Sequence, residues 1–312
     1  MKKPLVILTG PTAVGKTELS LNLAKAIGGE IISADSMQVY KEMNIGTAKI
    51  MPEEMQGIPH YLVDEISPDE EFHVVKFKEY ANRYMEEIYA KGKIPIIVGG
   101  TGFYIQAVLK DVSFDENEED KEYRKKLQIF AKEHGTKALH DKLMEVDPES
   151  GNAIHENNVK RVIRALEFYH LTGKKISEHN EEEREKESPY NFAYFVLTDE
   201  RSVLYDRIDK RVDLMMEQGL LEEVTALKEK GYSRDLVSMQ GLGYKEILAY
   251  LAGEISLEEA VYILKRDTRH FAKRQLTWFR REKDVIWVDK SLFSDKEEIL
   301  SFCLTKLKEK GI

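Results

Sequence analysis

Gly10-Pro11-Thr12-Ala13-Val14-Gly15-Lys16-Thr17 follows the apolar run Leu5-Val6-Ile7-Leu8 and opens a helix-like stretch from Lys16 to Ala26, closed by Gly28-Gly29. The octet fits G-x-x-x-x-G-K-[ST], the spacing of a P-loop. Its glycines let the backbone curl so that N–H groups converge on phosphate oxygens, and the helix adds its positive end at the same point. Lys16 would reach the terminal phosphate, and the Thr17 hydroxyl would bind a Mg²⁺ bridging two phosphates. The plainer reading is a glycine-rich turn with no ligand. A strand before and a helix after favour a bound di- or triphosphate.

Further strand-like runs follow at 30–33, 61–64, 94–98, 192–197 and 285–288, and helical patterns such as Val75 to Tyr89 separate most of them. Such alternation predicts a parallel, doubly wound sheet. The interval from about 115 to 190 has no strand signal. It reads as helices at 119–133 ending at Gly135, 137–146, and 158–171 ending at Gly173, with Asp147-Pro148 as a helix start. The expected architecture is an α/β, P-loop NTPase-like core over 1–114 and 191–312 with an inserted helical lobe over 115–190.

A chain of 312 residues exceeds the usual single core, which suits this division. Its one cysteine, Cys303, excludes a disulfide framework, and no apolar run approaches the roughly 18 residues that span a bilayer. A soluble, cytoplasmic protein is expected. The net charge of −9 is concentrated. Residues 111–122 carry seven acids and one lysine, and residues 181–187 carry five acids and two bases. Both runs read as solvated segments. Screening over roughly 8 Å leaves room for a basic surface elsewhere.

Asp35 ends the second strand-like run, at the edge where ligands gather in an open parallel sheet. It could accept a proton, hold Mg²⁺, or simply cap a helix. The fourth run ends in Gly99-Gly100-Thr101-Gly102 with no acid, which weakens an ATP-hydrolysing reading. Asp64 remains a candidate for a metal role, or a turn residue.

Asp35-Ser36-Met37-Gln38-Val39-Tyr40-Lys41 with Asn44-Ile45-Gly46-Thr47-Ala48-Lys49 resembles the signature of bacterial tRNA dimethylallyltransferases, which prenylate adenosine 37. So do Gly99-Gly100-Thr101-Gly102-Phe103-Tyr104, the run from Lys160 to Glu167, Gln240-Gly241-Leu242-Gly243-Tyr244-Lys245-Glu246, and the run from Thr268 to Arg280. The matches run in order over nearly the whole chain. The resemblance implies transfer of a dimethylallyl group from its diphosphate to N6 of an adenine in a tRNA anticodon stem-loop, by an enzyme read as a monomer. An exocyclic amine is a weak nucleophile, so leaving-group stabilisation is the main lever. The loop from Gly10 to Thr17 would supply it with Mg²⁺. Asp35 would accept the N6 proton.

The same resemblance places Thr101 against the reacting nucleotide, with a backbone-capping hydroxyl as the alternative. Arg207 and Arg211 lie one helical turn apart and suit a diphosphate clamp. Pairing with Asp206 or Asp209 is the competing reading. Candidate tRNA contacts are Asp35, Ser36, Met37, Gln38, Arg124, the segment Lys160, Arg161, Val162, Ile163 and Arg164, and the segment Gln240, Gly241, Leu242, Gly243, Tyr244 and Lys245.

Ser256 and Glu259 form a capping box opening a long helix. At 100° per residue, Leu257, Ala260, Val261, Leu264, Phe271 and Phe279 fall within about 60° of one line. Arg269, Lys273, Arg274 and Arg280 lie elsewhere on the helix. Residues 265–283 hold eight bases and two acids, a one-sided face fitted to phosphate backbone. No aromatic ladder of a nonspecific single-strand binder is present. A folded RNA with one base extruded fits better. Three other readings share the P-loop: a small-molecule kinase, a prenyltransferase acting on free AMP or ADP, and an RNA-stimulated ATPase. The basic helix is superfluous for the first two, and the third predicts nucleotide hydrolysis.

Overall fold

In the computed structural model, residues 2–114 and 120–312 are described. β1 (Lys3–Thr9) runs into α1 (Lys16–Ile27), then β2 (Gly29–Ser33), β3 (His60–Tyr61), α2 (Val74–Ala90), β4 (Ile94–Gly99) and α3 (Gly102–Leu109). Four helices follow: α4 (Lys121–Val146), α5 (Pro148–Ala153), α6 (Val159–Thr172) and α7 (Ile176–Glu185). The chain then continues through β5 (Tyr190–Thr198), α8 (Arg201–Glu217), α9 (Leu220–Glu229), α10 (Tyr244–Leu251), α11 (Leu257–Phe279), β6 (Val285–Asp289) and α12 (Lys296–Glu309).

All strand pairings are parallel, in the order β3-β2-β4-β1-β5-β6. β1 lies at the centre, with Val6 opposite Ile96 on one side and Ala193 on the other. Its side chains alternate between two cores. Leu5 and Ile7 pack with residues of α2, α3, α9 and α10, while Val6 and Leu8 pack with those of α1 and α12. A strand buried on both faces must be apolar throughout, which explains its continuous run. Parallel strands also bring Thr9, Ser33 and Gly99 to one edge of the sheet.

The run 61–64 does not form a full strand. Only His60 and Tyr61 pair, because Leu62 and Asp64 adopt φ of 60° and 59° and turn the chain away. Asp64 then meets Lys49 Nζ at 2.7 Å, and that buried ammonium also donates to the Tyr40 carbonyl. The turn reading of Asp64 therefore holds, and its carboxylate serves Lys49. α12 was not anticipated. Its Ile299, Cys303 and Leu307 are buried at four-residue spacing, and Asp295 accepts from the Glu298 N–H at 2.8 Å. Burial pushes the Cys303 thiol up to about 12, as expected of a packing residue.

The chain divides into a unit of residues 1–109 with 189–312 and a unit of residues 110–188. In the second, α4 is broken at Gly135 (φ 87°, ψ 161°), where two helices were expected to meet. The expected start of the first, Glu119, lies outside the described residues, as do residues 115–118 of the acidic run. Asp147 caps α5 through the Ser150 N–H and also accepts from the Ser177 hydroxyl at 2.7 Å, tying α7 down. Glu183 departs from the solvated reading of its run: it is buried and accepts from the Ser113 N–H.

Candidate active site

The conformation of the loop over residues 10–17 depends on its glycines. Gly10 has φ 145° and Gly15 has φ 93°, and a Cβ on Gly10 would meet the Leu197 carbonyl oxygen at 2.5 Å. The loop residues act unequally. Val14 is fully buried and its N–H turns back to the Pro11 carbonyl, so neither Val14 nor Pro11 offers a donor to a phosphate. The Thr12 N–H is taken by Gln275 Oε1 at 2.9 Å. The N–H groups of Ala13, Gly15, Lys16 and Thr17 bond to no described residue, and the last two belong to the unsatisfied first turn of α1. Those four donors make an anion cradle.

Lys16 Nζ donates to the carbonyls of Gly10 and Pro11, at 3.0 and 2.8 Å. Burial, together with the Arg211 guanidinium, pushes its pKa down to about 8, against the opposing pull of Asp35. Arg211 forms no ion pair among the described residues. Burial lowers its pKa too, and Asp35 partly offsets this. Arg207 pairs with Asp199, so neither expected partner applies: Asp209 instead holds Arg269. Lys290, unremarked in the sequence, braces the loop through the Val14 carbonyl at 3.0 Å.

These groups face a cavity of about 350 Å³. Thr12, Ala13, Gly15, Lys16 and Thr17 form one part of its wall, and Asp35, Gln38, Thr47 and Gly100 another. Arg207 and Arg211 enter from α8, Phe271 and Gln275 from α11. Phe271, expected in the helix's apolar stripe, thus lines the site. Asp35 closes a turn, with no helix following it to cap, and it also reaches the cavity. One oxygen accepts from the Met37 and Gln38 N–H groups at 2.8 and 3.3 Å, while the carboxylate still lines the cavity. Thr101 is not among the residues lining the cavity; its N–H donates to the Ala34 carbonyl, and its hydroxyl caps no described backbone group.

Gln275 is the residue that sequence reasoning passed over. It is buried, and its amide accepts from Thr12 N–H and donates to the Gly100 carbonyl at 3.0 Å, joining both loops to α11. Gln38 is fixed by the Thr47 and Ala48 carbonyls. That segment is in turn clasped by Glu223, which accepts from the N–H groups of Asn44, Ile45 and Gly46 and from the Tyr244 hydroxyl. Glu223→Ala would strand four donors. It is expected to lower stability by about 2–3 kcal/mol in urea unfolding, and to lower turnover through the loss of Gln38's anchors.

The remaining candidates divide. Tyr244 is fully buried, Leu242 packs on the core, Gly241 lies against Met37, and Gln240 is exposed and bonds to the Arg234 carbonyl; none of these four lines the cavity. Lys245 pairs with Glu246 and Asp267, Gly243 with Glu246 through its N–H, and Ser36 is half-buried. In the helical unit, Val162 and Ile163 are buried with Leu127, Leu139 and Leu143, so they pack that unit and present no side chain to an RNA. Arg124 and Arg164 both engage the buried Glu167, at 2.7 and 3.1 Å, while Lys160 and Arg161 are exposed. Lys273 and Arg274 on α11 and Arg280 at its C-cap are exposed, and Ser256 Oγ accepts from the Glu259 N–H, which is one half of the expected capping box; no return bond from Glu259 to the Ser256 N–H is made.

A family model described as IPP transferase matches residues 38–282. A tRNA dimethylallyltransferase of Lachnoclostridium phytofermentans is 65% identical over 310 residues, 99% of each chain. One of Acetivibrio thermocellus is 55% identical over 95% of each. Among solved structures, a full-length tRNA isopentenylpyrophosphate transferase of Bacillus halodurans superposes with a TM-score of 0.75 at 48% identity, over 100% of this chain and 98% of that one. A eukaryotic dimethylallyltransferase acting on tRNA gives 0.78 at 32% identity, over 92% and 74%.

Proposed function

The chain belongs to the IPP transferase family and is an enzyme of the tRNA dimethylallyltransferase kind; from that premise we propose that it transfers a dimethylallyl group from dimethylallyl diphosphate to N6 of adenosine 37 in a tRNA anticodon loop. One observation carries the reading: a carboxylate, Asp35, shares a cavity with an unpaired arginine, a desolvated lysine and an anion cradle.

The allylic carbon–oxygen bond breaks as N6 attacks the carbon, and the electron pair leaves with the diphosphate. Lys16, Arg211 and the free N–H groups of the loop hold that charge in a partly desolvated site, where each such donor is worth several kcal/mol in order of magnitude. As N6 becomes positive its proton turns acidic, and the Asp35 oxygen not occupied by Met37 and Gln38 accepts it. Gln38 flanks the base; Arg207, steered by Asp199, stands at the cavity edge.

Mg²⁺ fits this donor set. The Thr17 hydroxyl lines the cavity and bonds to no described residue, and hard oxygen ligands suit the ion. Among the described residues no cluster of three or more His, Cys, Asp or Glu could hold a metal, so phosphate and water would complete its shell. When bound, the ion neutralises diphosphate oxygens. The other partner is tRNA, for which the exposed bases of α11 are the candidate contacts in the first unit and Lys160 and Arg161 separate candidates in the second; no helix among the described residues is long and apolar enough to cross a membrane.

The test incubates the protein with an unmodified anticodon stem-loop RNA, Mg²⁺ and dimethylallyl diphosphate, and weighs the nucleosides. One adenosine should gain an isoprene unit, at the position 3′ of the anticodon. Unchanged adenosine, or ATP hydrolysis stimulated by the RNA, overturns the reading.

A further inference from the structure

Leu257, Ala260, Val261, Leu264, Phe271 and Phe279 share one line of α11, and all but Phe271 pack in the core that holds Leu5 and Ile7 of β1. Among the described residues Phe271 packs in neither core of its unit; it is half-buried and lines the cavity instead. Apart from Ala13 of the anion loop, every other residue of that lining is polar, charged or glycine. A ring left out of the core gains the burial an aromatic side chain ordinarily has only from what enters the cavity.

α11 fixes the ring relative to the anion cradle. Just before it, Arg269 pairs with Asp209 of α8, the helix that carries Arg207 and Arg211. One turn after it, Gln275 shares its helix face and bonds to the Thr12 N–H and the Gly100 carbonyl. Gly100 leaves the room for that carboxamide, since a Cβ there would lie 2.1 Å from Gln275 Nε2. The Arg274 guanidinium lies 5.7 Å from the ring centroid, but it is exposed and outside the cavity lining. Anchored on both sides, Phe271 cannot retreat without disturbing one of the two anchors.

We propose that Phe271 sets the length of the transferred prenyl group: its ring walls off a subsite for a single isoprene unit and leaves no room for a second. The inference rests on the reading above and adds a specificity determinant to it. An allyl chain offers no hydrogen bond, so only apolar surface can hold it. The ring is the only large apolar side chain among the described residues that line the cavity. A cavity of about 350 Å³ is at the small end of ligand pockets, roughly 300–1,000 Å³, and it must take a diphosphate and an adenine as well. A longer chain would have to displace the ring, which its two anchors oppose.

The test compares dimethylallyl and geranyl diphosphates as donors to an anticodon stem-loop RNA, weighing the nucleosides and measuring kcat/KM for each. Wild-type protein should add one isoprene unit and use the geranyl donor poorly. Phe271→Ala should shift the ratio of kcat/KM about 10²-fold toward the geranyl donor, with pyrophosphate affinity kept and an adenosine two isoprene units heavier as product. Phe271→Leu should shift the ratio the same way by less, and it carries the test should the alanine variant fail to fold. Transfer from both donors that falls in equal proportion marks the ring as structural and overturns the proposal, as does a wild type that uses both donors equally well. A wild type that transfers from neither donor sinks the functional reading itself, whereas an active wild type whose variants keep its ratio sinks only the assignment to Phe271.

Discussion

Replacing Asp35 with asparagine is expected to slow transfer by about 10²–10⁴ in single-turnover assays, with RNA and pyrophosphate affinities nearly unchanged. The amide oxygen still accepts from the Met37 and Gln38 N–H groups, so the turn that the carboxylate holds survives. What disappears is the capacity to take a proton. Alanine removes both roles and should add a loss of stability that asparagine lacks. Comparing the two separates the turn from the base. An asparagine variant with wild-type turnover would remove Asp35 from the chemistry.

Lys16→Met is expected to lower the transfer rate by about 10²–10³ and to weaken pyrophosphate binding. The pH dependence offers a sharper signature. In the free protein the lysine titrates near pH 8, because burial and Arg211 disfavour its charge. The charged form binds the diphosphate, and the bound anion raises the pKa again. Pyrophosphate affinity should therefore fall as pH rises through about 8, with proton uptake on binding above that pH. Calorimetry in two buffers of different ionisation enthalpy measures the uptake, which should vanish in Lys16→Met. Uptake that persists in the variant would assign it to another group.

The sheet and the glycine loop after β1 were legible because short-range rules set them. A doubly buried strand, a glycine turn and a helix start are written within about 25 residues. Tyr61 to Asp64 misled because apolar composition says nothing of φ, and Leu62 and Asp64 take the left-handed region under the pull of Lys49 and Glu65. α12 carried its signal in Ile299, Cys303 and Leu307, a spacing too sparse to stand out among lysines and glutamates. Gln275 had the plainest unread mark. It falls on the apolar line of α11, at the angle of Leu257, where a polar side chain needs a buried partner. Its partners, Thr12 and Gly100, lie far away in sequence, so only the fold could name them. Val162 and Ile163 show the converse, since a match to a family segment does not say which of its residues face outward.

The strand that ends in the glycine loop takes one of its two neighbours, β5, from the chain that follows the helical unit in sequence. Seven residues of β1 wait for partners that leave the ribosome some 180 codons later. Until then Leu5 to Leu8 present an unmatched sheet edge, the kind of segment that recruits wrong partners. Assembly of the pocket is consequently a late, non-local event, slower than the closing of any one helix pair. A fragment ending before β5 should display a sticky, ligand-blind half-sheet, and folding helpers would find their natural purchase there.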